Sequence, residues 1–172
     1  MKLIKVYLVL IIFGFVTNIG AQTVDELILH ATTLNQNGLY RDAIVAYDKV
    51  ITAQPEFPYT YYLKAKCYVH IKDYYSAIRE VSTAIRKDNT FIDALFLRAS
   101  LKAIVDDYRG SLVDYNRIVL LSPENPLAYF GRALTKLSLN DIDGACLDFS
   151  KAGDLGYTDP KLLYDNIRKY CN

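Results

Sequence analysis

The chain has 172 residues, with 20 Lys and Arg against 19 Asp and Glu, a formal net charge of +1, fifteen Tyr and no Trp. Removing the N-terminal segment that carries Lys2 and Lys5 leaves 18 bases against 19 acids. That balance provides no field to attract nucleic acid or an anionic membrane. The remaining length is that of one ordinary domain, enough for a continuous core.

The N-terminal 21 residues stand apart. Lys2 and Lys5 precede an apolar stretch over residues 6–16, followed by Thr17-Asn18-Ile19-Gly20-Ala21. A positive start, an apolar middle too short to span a bilayer comfortably and a small residue before the cut predict a signal peptide over 1–21, cleaved after Ala21. The alternative is an uncleaved membrane anchor, because Ile19 suits the cleavage motif less well than Ala. The expected destination is the periplasm or the outside of the cell, with no membrane contact beyond the signal.

From Val24 onward the sequence repeats with a period of 34 residues. Gly38-Leu39-Tyr40, Lys72-Asp73-Tyr74, Asp106-Asp107-Tyr108 and Asn140-Asp141-Ile142 mark the same point in repeats 24–57, 58–91, 92–125 and 126–159. Each repeat opens with a helical stretch of about 14 residues, breaks at a polar turn and resumes with a second helix. Pro55, Pro58, Pro123 and Pro126 fall at the junctions, and none is placed within a predicted helix. No strand-like alternation occurs, so the predicted class is all-α.

Fixed slots predict the packing. Ala31, Ala65, Ala99 and Ala133 recur in the first helices, and Ala43, Ala77, Ser111 and Ala145 in the second. Small residues there let paired helices approach closely. Leu27, Tyr61, Leu95 and Tyr129, then Tyr47, Val81, Tyr115 and Phe149, supply the bulk around them. Residues 160–172 read as a capping helix with Asp159 as N-cap, Pro160 in the first turn, and Leu162, Leu163, Ile167 and Tyr170 on one stripe.

This pattern resembles the tetratricopeptide repeat (TPR) family, whose W-x2-L-G-x2-Y, A-x3-F and closing P are reproduced with substitutions. The resemblance implies a right-handed helical-hairpin solenoid of four repeats plus the cap, serving as a protein-interaction scaffold. Two departures stand out. His30, Lys64, Arg98 and Arg132 replace the Leu before the small residue, and Asn89 and Tyr157 stand where the closing Pro is absent. Sixteen residues beyond the last three cations come Glu80, Asp114 and Asp148. These predict structural ion pairs across each hairpin, Lys64–Glu80, Arg98–Asp114 and Arg132–Asp148, modest in strength if exposed. The alternative is a row of cations gripping an anionic ligand. His30 faces Ala46, so the pairing fails in the first repeat, and that end should be looser or should meet a different environment.

Little in the chain suggests catalysis. His30 and His70 lie outside any metal-binding or triad spacing, and no phosphate loop or nucleophile motif occurs. Asp106-Asp107, Asp141 and Asp143 fall in turns, where Asp is favoured for local reasons. Gly153 and Gly156 read as helix-ending residues. No enzyme activity, metal or cofactor is expected. Cys146, early on the last repeat's second helix, and Cys171, at the end of the cap, come level if the two helices pack antiparallel, and the alternatives are a disulfide or two free thiols. Cys67 reads as a small core residue.

The remaining candidate is an apolar face. Tyr59, Tyr62, Lys66, Val69 and His70 form a second stripe beside the core stripe of their helix, and the later repeats place Phe96 and Ser100, then Phe130 and Leu134, in matching slots. In proteins the chain resembles, such slots line a concave groove that takes an extended peptide or a partner's helix. The alternatives are that the chain's own helices or cap fill it, or that it mediates self-association into a homo-oligomer. A resembling subgroup clamps the carboxylate end of chaperone tails with Lys and Asn. The matching places here hold Ile28 and Thr32, Tyr62 and Lys66, and Phe96 and Ser100, so a hydrophobic peptide is expected instead. The resemblance, together with the lack of an N-x-S/T sequon, points to a bacterial envelope.

Overall fold

A computed structural model describes residues 23–171. The expected signal segment and Asn172 lie outside the described residues. Among the described residues nine helices follow one another: α1 (Val24–Gln36), α2 (Tyr40–Ala53), α3 (Pro58–His70), α4 (Tyr74–Lys87), α5 (Ile92–Ile104), α6 (Tyr108–Leu121), α7 (Pro126–Ser138), α8 (Ile142–Asp154) and α9 (Pro160–Tyr170). No strand occurs among the described residues. Each helix packs chiefly on its sequence neighbours, and α5 also touches α7, so the chain is a row of hairpins with short-range contacts.

The turn within each hairpin has one geometry. Gly38, Lys72, Asp106 and Asn140, spaced 34 residues apart, all take left-handed backbone with φ of 76°, 61°, 62° and 62°. The next residue then donates its N–H to a carbonyl five residues back, Leu39 to Leu34, Asp73 to Tyr68, Asp107 to Lys102 and Asp141 to Lys136. This closes the carbonyls that a helix end leaves open. Gly156 repeats the device at the end of α8, with Tyr157 bonded to Ala152. Asp73, Asp107 and Asp141 then cap α4, α6 and α8 by accepting from the N–H groups of Ser76, Gly110 and Gly144. Leu39, in the same slot, caps nothing.

Pro58 and Pro126 are the first residues of α3 and α7, inside the helices and not between them. The first helical residue has no intrahelical use for its N–H, so proline is accepted there.

The slots pack as their sizes dictate. All eight small residues at the crossings are fully buried, and Tyr47, Val81, Leu95 and Phe149 are enclosed with them. The core forms three blocks along the row, with Tyr68 shared by the first two and Val119 by the last two. Losing a side chain such as Leu95 or Leu101 removes roughly 2–5 kcal/mol.

Candidate functional site

A cleft of about 570 Å³ opens across α3, α5 and α7, one first helix from each of the last three repeats. Tyr62, Phe96, Ser100, Phe130 and Leu134, all from the expected groove stripe, line it, joined by Ile92, Asp93, Leu97, Tyr115, Asn125, Leu127 and Gly131. A second hollow of about 250 Å³ continues it along α5 and α7, sharing Ser100, Tyr115, Gly131 and Leu134.

The cleft lining includes a break in one slot. Leu29, Leu63 and Leu97 are followed at the same spacing by Gly131. A Cβ at residue 131 would sit 2.5 Å from the ring of Tyr115. The missing side chain admits Tyr115 from the second helix α6 into the space between α5 and α7. Its hydroxyl lies 3.4 Å from Ser100 Oγ, and its ring stands edge-on to Phe96 at 6.1 Å. Burial raises the phenol above its ordinary pKa, so it stays protonated and available as a donor.

The other expected groove residues divide. Phe130 is only 7% exposed, stacked on Tyr157 at 4.2 Å and tilted on Phe149 at 5.5 Å. It is a floor tied to the core, because a ring packed on two sides is not free to serve as an anchor. Val69 packs half-buried against the central core block. His70 stacks face to face on Tyr40 at 4.1 Å, which ties the end of α3 to the start of α2. Tyr59 faces an adjoining corner, while Lys66 leans its ammonium 5.6 Å above the ring of Tyr62. Tyr115 and Gly131 were absent from the expected stripe, since one sits in a core slot and the other has no side chain. The only signal in the sequence was the Leu-to-Gly break at residue 131.

Comparison with known proteins agrees with this architecture. The sequence model of the family described as "Anaphase-promoting complex, cyclosome, subunit 3" matches residues 36–112. The crystal structure of MamA protein is similar with a TM-score of 0.73 at 21% identity, covering 83% of this chain and 81% of that one. The first TPR of Spaghetti (RPAP3), bound to the HSP90 peptide SRMEEVD, is similar with a TM-score of 0.64 at 21% identity, over 72% of this chain and 98% of that one. The chain shares the TPR-like helical-hairpin fold of these structures. A DnaJ homolog subfamily C member 3 homolog of Dictyostelium discoideum is 29% identical over 96 residues, 54% of this chain but only 19% of that protein's length.

Along this helical-hairpin solenoid, the cations in the substituted Leu slot join neighbouring repeats. Arg98 holds Asp114 in a two-pronged bond at 2.9 and 2.6 Å, and Arg132 holds Asp148 at 2.8 and 2.6 Å. Each also reaches sixteen residues back into the preceding repeat, Arg98 to Ser82 and Arg132 to Asn116. Lys64 lies 3.3 Å from Glu80 but closer to Asp48 of the first repeat, at 2.7 Å. Burial alone would lower its pKa; the hydrogen bond to Asp48 and the charge of Glu80 outweigh that and raise it.

The expected pairs are present, and the carboxylates of Asp114 and Asp148 are buried, the side chain of Asp114 being 2% exposed; each of these two carries a second cation, Lys102 on Asp114 and Lys136 on Asp148, both at 2.8 Å. These lysines also donate to the carbonyls of Gly110 and Gly144. The cations are thus committed to the chain's own acceptors, which argues against a row gripping an anionic ligand. Cys146 and Cys171 form a disulfide with Cα atoms 5.6 Å apart, within the span such a bond requires. Cys67 is fully buried, and burial pushes its thiol up to about 11, so it is inert at neutral pH.

Proposed function

We propose that this protein is an interaction module whose concave cleft receives an apolar segment, an extended peptide or a helix, of a protein partner. The carrying observation is the cleft between α3, α5 and α7, where Gly131 makes room for Tyr115 and the floor is formed by rings that the core already fixes. A preformed apolar hollow with few polar groups, here Ser100, Asp93 and Asn125, saves the ordering cost of binding and leaves specificity to those groups. The TPR of Spaghetti in complex with a peptide supports a peptide ligand for this fold. The groove here lacks the Lys and Asn pairing suited to an acidic tail, which favours an apolar one.

The test is peptide selection against residues 22–172, followed by affinity measurement on variants. Phe96→Ala and Leu134→Lys should weaken a selected peptide at least about tenfold, the effect of truncating an interface anchor, with helicity unchanged. Equal affinity for wild type and both variants would remove the cleft from the binding site.

A second reading, self-association, is favoured by a different observation. Val45, Val113 and Leu147, in a slot of the second helices that holds Arg79 in the second repeat, are exposed apolar residues. Sedimentation over a range of concentrations distinguishes the two readings.

Export remains part of the proposal. The N-terminal sequence pattern supports it, a disulfide suits an oxidising compartment, and no helix among the described residues is long and apolar enough to cross a membrane. Mass determination of the protein from a secreting host should give a chain beginning at Gln22.

A further inference from the structure

Beside the cleft, where the start and end of the second repeat meet the end of the first, is a separate corner of about 210 Å³ walled by Phe57, Pro58, Tyr59, Phe91 and Asp88. Phe57 and Phe91 occupy the same slot 34 residues apart, the N-cap positions of α3 and α5, where neither supplies a capping bond. Tyr59 stands between them, edge-on to Phe57 at 6.4 Å and tilted to Phe91 at 6.3 Å. Phe57 and Tyr59 are 46% and 47% exposed, so two large rings stand partly in solvent.

The fourth wall is charged. Asp88 is the C-cap of α4, and one of its oxygens accepts from the hydroxyl and the N–H of Thr90. Those two bonds hold its carboxyl below the ordinary range, so it is ionised at neutral pH. Among the described residues no cation forms a salt bridge with Asp88, and none lies over the rings of Phe57, Tyr59 or Phe91. The neighbouring Lys87 is committed to Glu56 at 2.9 Å and to the ring of Tyr61 at 5.5 Å. Next door, Lys66 over Tyr62 shows that ring faces of this cluster accept an ammonium.

Aromatic faces attract a cation through their quadrupole, and a carboxylate beside them adds direct charge attraction. We propose that this corner is a binding site for an organic cation, taking an ammonium or guanidinium group between the three rings with Asp88 as its counter-ion. The source that fits its place, against the end of the cleft, is a Lys or Arg side chain of the partner segment. That assignment of source rests on the groove reading above; the cation site itself does not.

Choline and 3,3-dimethylbutan-1-ol, which share a shape and differ in charge, test it by titration against the aromatic NMR signals of the wild-type protein. Choline should shift the Phe57, Tyr59 and Phe91 signals saturably and the neutral alcohol should not. Tyr59→Ala and Asp88→Asn should each weaken choline by about threefold or more, the second keeping the acceptor for Thr90 while removing the charge. Phe96→Ala should leave choline binding unchanged, so failure of the groove reading would not be mistaken for failure of this site. Equal binding of choline and the alcohol would make the corner merely apolar, and no saturable shift by choline, with helicity intact, would remove the site.

Discussion

Two single residues depart from the rule their neighbours follow, and each departure has a measurable consequence. Leu39 occupies the N-cap slot that Asp fills in the other three hairpins, with nearly the same backbone angles, φ −82° and ψ 60° against −80° and 64° at Asp107. The backbone is therefore ready for a capping side chain that is missing. Leu39→Asn supplies one without placing a second carboxylate beside Asp42. It should raise stability by about 1 kcal/mol, read as a higher urea midpoint at unchanged slope. The other residue is Tyr47, enclosed in the first core block, whose hydroxyl has no hydrogen-bond partner among the described residues. Asn35 is nearby but its oxygen accepts from Cys67 Sγ at 3.5 Å. Burial pushes the Tyr47 phenol up to about 12 from 10.0. A proton held more tightly in the folded state means that this group's contribution is complete below pH 10 and is lost as pH rises toward 12. At 1.36 kcal/mol per pH unit the loss is roughly 2–3 kcal/mol. Tyr47→Phe should be neutral or stabilising at pH 7 and should shift the alkaline unfolding midpoint upward. An unchanged alkaline limb would mean another group controls it.

Between helices, the buried carboxylates join more than the pair that spacing suggests. Asp114 receives Arg98 and Lys102 together, and Arg98 continues to Ser82 on the preceding repeat, so one carboxylate fixes the register of three helices. Asp114→Asn leaves two cations half-enclosed around a neutral group and should cost about 3–5 kcal/mol. Lys102→Met should cost much less, since Arg98 retains its two-pronged bond. A urea series on both variants checks the order; equal losses would show that the two cations act as one unit. The repeat phase, the hairpins and the Arg–Asp spacing were legible because a period of 34 aligns them without gaps. Lys102 and Lys136 were not, because the family slot they fill is aromatic and holds Tyr68 one repeat earlier. Five of the twelve residues lining the cleft were legible as a stripe on the first helices. Tyr115 was hidden by its core slot, and the stacking of His70 on Tyr40 depends on a ring orientation that no spacing encodes.

For the whole molecule, contacts confined to neighbours mean that damage at one end stays there. The C-terminal end is where this matters most. Helix α9 packs principally on α8 and buries one side chain, Leu163. An isolated helix of its 11 residues is marginal in water. The Cys146–Cys171 bond closes a loop of 25 residues and so restricts the unfolded chain, a contribution of about 3 kcal/mol in the chain-entropy description. The bond therefore supplies much of what keeps α9 docked over Phe149 and Ala152. Cys146→Ser with Cys171→Ser, or reduction of the wild type by a dithiol, should release α9 first. Hydrogen exchange should show residues 160–170 losing protection while α5 and α6, remote from that end, keep theirs. Because Phe130 rests on Tyr157, the same variant should loosen the floor at the α7 end of the cleft and leave the Phe57–Phe91 corner unaltered. Uniform loss of protection across all helices would instead make the solenoid a single cooperative unit that the disulfide stabilises as a whole.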